Sequence, residues 1–482
     1  GASSSARGRM TPGGDGMIPG VHRPAAGSSW FGMATLTAAV AAAVGALVVH
    51  SPPIALAVVG LVVVAAYMGE TARRPLGEIL VVGMIALSGV VDILQRIDAG
   101  AASGQAVETV AFVLLAVLVC LTGISVPAGG AGRALGCVAL FVTWTVISFT
   151  WGSVSTQGLQ NVFVYIAAVL FMAIGATIAH HRGPTAHEIV SRAFWVAAAV
   201  GLGLYAISVA IAGPGTDKII SPRPFGLMGV VLVAWFVSGG LIGRRWSYWV
   251  VGCAVALTLL SLSRSALAAE FALIALARFN LGNFRGWIIA AGAIAATLAV
   301  ALSAVFFYAP LHHRFFHGDT QQVGGISINV TGRDALWSAN WGWFKEKPLI
   351  GFGAGASDRM TEALPGRGAG HPHNDYLRIL VDYGLVGFVL WMSAYLALLR
   401  LTWKRWQAVR GTRVFAEQVH AAAFLALIGI GIAMIVDNPL IELARMGPLG
   451  ILVGFSLGLP LLQRGSDQPI EPAAPARAVA AR

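Results

Sequence analysis

Charge is what this chain has least of. Only 11% of its 482 residues are Asp, Glu, Lys or Arg, where a soluble globular domain carries roughly a quarter. Acidic residues are the scarcer kind, 21 against 32 basic. Cysteine is nearly missing: Cys120, Cys137 and Cys253 each lie inside an apolar run, which excludes a disulfide framework or cysteine-rich metal centre and reads as core. No internal repeat of the kind that marks many secondary transporters is present, and no apolar span carries a relay of Asp and Glu. What is abundant is hydrophobic side chain, 57% of the total, with a mean hydropathy of +0.76. In hydrocarbon, backbone polar groups must be satisfied within the segment, which favours helices. The expected fold class is therefore an all-α polytopic membrane protein.

Runs long enough to cross a bilayer fall at 31–49, 53–68, 77–95, 107–126, 135–151, 160–180, 188–212, 226–242, 246–262, 266–282 and 287–308, then at 375–401, 416–436 and 445–462. The short or broken pieces at 53–68 and 266–282 leave about 12–14 transmembrane helices. One large loop precedes the last three. The 59 glycines, spread through many spans, read as close helix packing.

Loop charge supplies the orientation. Arg73-Arg74, Arg133, His180-His181-Arg182, Arg244-Arg245, Arg278, Arg285 and the stretch from Arg400 to Arg413 occupy one alternating set of connections. The opposite set, such as Gln95–Glu108, is short or mixed in sign. The positive-inside rule then puts both termini in the cytoplasm and the long loop outside. So the excess of +11 reads as topology and not as a nucleic-acid footprint. The expected organisation is a disordered tail (1–30), a helical scaffold (31–308), a periplasmic loop (309–374), the C-terminal helices (375–462) and a second disordered tail (463–482). The chain opens on Gly, so it reads as a fragment, with Met10 and Met17 as candidate starts.

Four places on the outer side carry charge that a scaffold does not need. Arg223 lies in Ser221-Pro222-Arg223-Pro224-Phe225-Gly226, with Lys218 nearby. Arg264 lies in the tight turn Leu262-Ser263-Arg264-Ser265-Ala266. Arg333 opens a stretch over 333–346 whose Leu336, Trp337, Trp341 and Phe344 predict an amphipathic helix on the membrane surface. Gly351, Gly353 and Gly355 then predict a flexible turn; with no strand before them they are not a nucleotide fingerprint. Last comes His371-Pro372-His373-Asn374-Asp375-Tyr376-Leu377-Arg378, where the chain re-enters the membrane and polar groups are costly.

Arginines bind phosphate bidentately and keep their charge, and a histidine titrates near neutrality and can accept a hydroxyl proton. Arg223, Arg264 and Arg333 with His373 thus suit a polyanionic ligand and a reaction that needs a base. Other readings stand beside this one. His373 or Asn374 caps the next helix, or Asn374 and Asp375 orient His373 or a sugar hydroxyl. Arg378 and Asp382, four apart, pair within the bundle. A metal held by His371-x-His373 is the weakest reading, since a proline separates them.

At these residues the sequence resembles the O-antigen ligase and polymerase superfamily. His373-Asn374, followed after nine residues by Gly384 and after two more by Gly387, is similar to that family's motif. Gly332-Arg333 with Trp337, Lys347-Pro348-Leu349-Ile350-Gly351-Phe352-Gly353 and Ser263-Arg264-Ser265-Ala266 are similar too. The resemblance covers about residues 220–440. It implies an inverting glycosyltransferase fed by a glycan on undecaprenyl diphosphate, at the periplasmic face of the bacterial inner membrane. It implies His373 as base with Asn374 beside it, and Arg264, Arg333 and Arg223 as diphosphate ligands, with no metal, nucleotide or other cofactor required. The acceptor is lipid A-core for a ligase or a second lipid-linked glycan for a polymerase. A transporter for the lipid-linked glycan, the reading from another class, calls for polar residues along several spans, whereas here they gather at one face. A non-catalytic partner of a glycan-assembly complex leaves His373 and the arginines replaceable.

Overall fold

The computed structural model describes residues 76–88, 104–121, 129–278, 305–317, 320–323, 326–329, 333–364 and 370–460, with scattered positions besides. The expected spans at 31–49 and 53–68 and both tails lie outside the described residues, as does about half of 287–308. The helices are α1 (Leu76–Leu87), α2 (Gly104–Leu121), α3 (Gly130–Ile147), α4 (Thr156–Arg182), α5 (Ala186–Ala212), α6 (Pro222–Leu241), α7 (Trp246–Ser261) and α8 (Arg264–Ala277). The long loop holds α9 (Ala309–Phe316), the antiparallel pair β1 (Thr320–Val323) and β2 (Ile326–Asn329), α10 (Arg333–Glu346) and α11 (Ala356–Glu362). The chain closes with α12 (Asp375–Val409), α13 (Phe415–Ala433) and α14 (Leu443–Gly458). Apart from that hairpin the described chain is all-α. Among the described residues, five stretches are long and apolar enough to cross a membrane: 130–150, 156–212, 222–241, 375–409 and 415–433. This is a multi-pass membrane protein.

Local chemistry sets the helix ends. Ser155 caps α4, its side chain accepting from Gly158 N at 3.0 Å. The last turn of α4 carries His180, His181 and Arg182, and the helix stops at Gly183 with φ 52°. This is the usual pairing of a cation, here Arg182, with the negative helix end and a glycine stop. Inside the bundle, α14 packs along α4, α13 lies against α6 and α8, and α12 lies against α3 and α13. The core of this packing includes Phe171, Phe194, Trp235 and Phe455, all buried.

The structure corrects four expectations. The span starting at residue 375 is interrupted at Gly384, whose φ of 66° and ψ of −170° are not helical. The backbone of the loop before it fills the break: Leu385 N donates to Pro348 O (2.8 Å), Val386 N to Leu349 O (3.1 Å) and Phe352 N to Val381 O (2.9 Å). Secondly, the glycine turn is pinned. Gly351, Gly353 and Gly355 all have positive φ, and Gly353 lies so close to Gly152 that a Cβ would strike its Cα. These glycines permit close backbone approach, a use that leaves the same sequence signature as flexibility. Thirdly, Arg378 pairs with Asp375 at 2.7 Å, not with Asp382. Asp382 instead accepts from Ser357 N (2.7 Å) and Gly355 N (3.3 Å). Fourthly, no cysteine is fully buried: Cys253 is exposed and Cys137 half-buried, while Cys120, also half-buried, packs against the core. The outside of a bundle facing lipid is as apolar as its inside, so hydropathy does not separate the two.

Gly384 yields a stability prediction. A Cβ there would fall on the Leu349–Ile350 backbone, in a left-handed conformation. Gly384→Ala is expected to cost about 2–4 kcal/mol from strain and overpacking together. Gly411→Ala, also at positive φ (82°) but with nothing within 4 Å, should cost only about 1 kcal/mol. Thermal unfolding of the two variants in detergent checks the difference.

Candidate functional site

The charged groups singled out by sequence come from four separated segments that meet at one end of the bundle. Helix α7 stops at Leu262 in a left-handed conformation (φ 58°), and α8 starts two residues later with Arg264. That turn projects the Arg264 guanidinium over the Phe315 ring of α9, 5.2 Å from its centroid, a cation–π arrangement. Arg333 and Asp334 start α10. Between them lies a cleft of about 560 Å³ lined by Arg264, Ser265, Arg333, Asp334 and Trp337, with Ala268, Phe315, Ile432, Ile435 and Val436 as its apolar wall. The volume lies within the roughly 300–1,000 Å³ usual for small-molecule sites.

Helix α10 has the bounds read from the sequence, but its buried face is Leu336 and Asn340, and it packs on α12. Trp337, half-buried, donates from Nε1 to Pro372 O at 3.1 Å. One residue on is His373, with φ 51°. A left-handed backbone is uncommon outside glycine, though histidine tolerates it better than most residues. The Nδ1 of His373 is buried and, among the described residues, has no hydrogen-bond partner. Burial first, then the positive charges of Arg223 and Arg333, push its pKa down to about 4, against the pull of Asp437. At neutral pH the imidazole is therefore uncharged.

Asn374 caps α12: its side chain accepts from Leu377 N at 3.0 Å. This agrees with the capping reading. Asp375 is fully buried, accepting from Leu440 N (2.9 Å) and pairing with Arg378, which reaches Tyr165 OH at 3.0 Å. Asp375 thus ties the start of α12 to the segment joining α13 and α14.

That segment holds the group that sequence reading missed. Asp437, with a side chain 2% exposed, forms an ion pair with Arg223. Its other oxygen accepts from Ser265 Oγ at 3.3 Å, beside Arg264. So Arg223 is not among the residues that line the cleft; it is joined through Asp437 to Ser265, next to Arg264. The signal was available, since Asp437-Asn438-Pro439 places a carboxylate where two apolar spans meet.

Taken together, these features define a multi-pass helical membrane protein with an amphipathic cleft at one end of the bundle, two arginines on its polar side and a neutral histidine close by. Residues 249–392, from within α7 to within α12, match the O-antigen ligase family. The match contains Arg264, Arg333, His373 and Asn374, and it bears out over this stretch the resemblance read from the sequence. Arg223 and Asp437 lie outside it. No curated protein matches the chain.

Proposed function

We propose that this protein is a membrane glycosyltransferase that moves a glycan from undecaprenyl diphosphate to an acceptor hydroxyl, with lipid A-core as acceptor. The observation that carries this reading is the amphipathic cleft. Arg264 and Arg333 line its polar side, as a diphosphate requires. Ile432, Ile435 and Val436 line its apolar side, as a polyprenyl chain requires. Trp337 lines the same cleft and is bonded to the residue before His373.

In the proposed reaction the acceptor hydroxyl attacks the anomeric carbon from the face opposite the diphosphate. The O–H proton passes to His373, the new glycosidic bond forms, and the bond from the anomeric carbon to the diphosphate oxygen breaks. Undecaprenyl diphosphate leaves with the electron pair. Its growing negative charge is offset by Arg264 and Arg333 in a site that is partly out of water, where such stabilisation is largest. The donor brings its own leaving group, so the reading needs no metal or nucleotide. The alternation of basic loops supports an inner-membrane protein with cytoplasmic termini and a periplasmic cleft.

The test is transfer by the purified protein from a synthetic undecaprenyl-diphosphate oligosaccharide, with lipid A-core and excess lipid-linked unit as parallel acceptors. Glycan on lipid A-core supports the ligase assignment. A ladder of longer lipid-linked chains replaces it with a polymerase at the same cleft. No product on either acceptor from a folded preparation overturns the glycosyltransferase reading.

A further inference from the structure

His371, Asp358 and Asn161 have no part in the chemistry above, yet they form a connected group next to it. Asp358 lies on α11, its side chain 2% exposed. One carboxylate oxygen meets His371 Nδ1 at 2.9 Å, and the other accepts from Asn161 Nδ2 of α4, also at 2.9 Å. Burial alone would raise the pKa of this acid, but the bond and charge of His371, the charge of Arg378 and the bond from Asn161 outweigh it and hold the carboxyl below its usual range. As a carboxylate it can only accept, so His371 Nδ1 carries the hydrogen. Helix α11 is itself fixed, because Asp382 of α12 accepts from Ser357 N and Gly355 N at its start.

The consequence falls on the turn 371–374. It is tied at His371 by Asp358, at the Pro372 carbonyl by Trp337, and at Asn374 by Leu377 N. His373 alone in this turn lacks such a tie at its buried Nδ1, and it alone has the left-handed backbone. A strained conformation persists where its surroundings over-determine it. The charges that act on the ring are those of Arg223 of α6, Arg333 of α10, Asp437 of the α13–α14 connection and His371 of the same turn.

We infer that Asp358 and His371 are a positioning pair for His373: the carboxylate–imidazole tie, backed by Asn161, holds the turn so that the His373 ring stays among Arg223, Arg333 and Asp437. The inference rests on reading His373 as the base. Its test is chosen so that the two fail separately.

Hydrogen–deuterium exchange at the imidazole C2 position, read by mass spectrometry on the full chain in nanodiscs, gives the titration midpoint of each histidine without any substrate. The parent should show His373 near the about 4 that its surroundings dictate. In His371→Ala and Asp358→Asn the midpoint should rise by about one pH unit or more as the ring leaves the arginines. His371→Gln, whose amide can still donate to Asp358, should stay near the parent. Unchanged midpoints in the first two variants overturn the inference. If Asp358→Asn fails to fold, the test is His371→Ala against His371→Gln, which removes the same charge from beside His373 but keeps a donor for Asp358; the His371 side chain is already 30% exposed.

With the synthetic undecaprenyl-diphosphate oligosaccharide as donor, His371→Ala should lower kcat by about tenfold to a hundredfold, the cost of a misplaced reacting group. The donor KM should change little, because Arg264 and Arg333 are untouched. Parent-like kcat in His371→Ala, with activity lost in His373→Ala, removes the positioning pair and keeps the base. Activity retained in His373→Ala removes the base, while the midpoints still judge the pair.

Discussion

Replacing His373 by asparagine is expected to lower transfer by about 10²–10⁴-fold, the usual contribution of a positioned general base. Asparagine is the informative choice. It tolerates a left-handed backbone, so the turn with φ 51° can be kept while the proton acceptor is removed. Thermal stability should stay close to that of the parent, which separates lost chemistry from lost structure. His373→Ala removes the base as well but adds strain at the same bond, and should show equal or greater loss. Activity of His373→Asn within a few-fold of the parent would remove this residue from the mechanism.

The acid limb of the pH profile follows from the same surroundings. A histidine held at about 4 instead of about 6.5 is neutral, and able to accept a proton, from pH 7 down to about 5. The folded value lies below the unfolded one, so this residue also favours folding above about pH 6.5, and that advantage is lost as pH falls toward the folded value. For kcat/KM, which reports the free protein, the acid limb should therefore lie near pH 4. For kcat it should lie higher. A bound diphosphate offsets the charge of Arg333, and with it one cause of the depression. The donor would thereby make His373 a stronger base only when something is present to be transferred. Coincident limbs in kcat and kcat/KM would mean that the diphosphate does not sit close to this ring.

How far these features could be read from residues alone differs by kind. The helices from 104 to 278 were visible because runs of apolar residues and their basic connections are long-range statistics that survive local error. Arg264 and Arg333 were visible because a permanent cation beside hydrocarbon demands a reason. What hydropathy could not show was contact between distant segments. Asp437 is separated from Arg223 by more than two hundred positions in sequence, yet the two form one ion pair. The break at Gly384 depends on the Pro348 and Leu349 carbonyls arriving to take the freed N–H groups, and nothing in the apolar pattern of 375–401 signals that arrival. Likewise Arg378 found Asp375 instead of Asp382 because Asp382 was taken by the start of α11. Helical spacing makes both pairs available; the packing of a third segment decides between them.

Removing the cleft's own cations is expected to have the other large effect. Arg264→Ala and Arg333→Ala should each lower kcat by about 10²–10³-fold, the range seen when one stabilising donor for developing charge is lost. Lysine should restore only part of it, because an ammonium cannot make the paired, planar contacts of a guanidinium with a diphosphate. The two losses should not multiply in Arg264→Ala/Arg333→Ala, since both groups act on one leaving group. Arg223 is the internal control. Its guanidinium is taken by Asp437, whose side chain is 2% exposed, so Arg223→Ala removes the ion-pair partner of a buried carboxylate that still accepts from Ser265 Oγ and Asn438 N. That should cost about 1–3 kcal/mol of stability, and activity should fall indirectly through the turn that carries Arg264. Pairing Arg223→Ala with Asp437→Ala removes the stranded charge and should recover much of the stability. Asp437→Ala is not expected to restore activity to Arg264→Ala or Arg333→Ala, because those two side chains line the cleft itself. If instead Arg223→Ala alone matched the other two in lost kcat at unchanged stability, Arg223 would be a direct ligand of the diphosphate, and the polar side of the cleft would have to include α6.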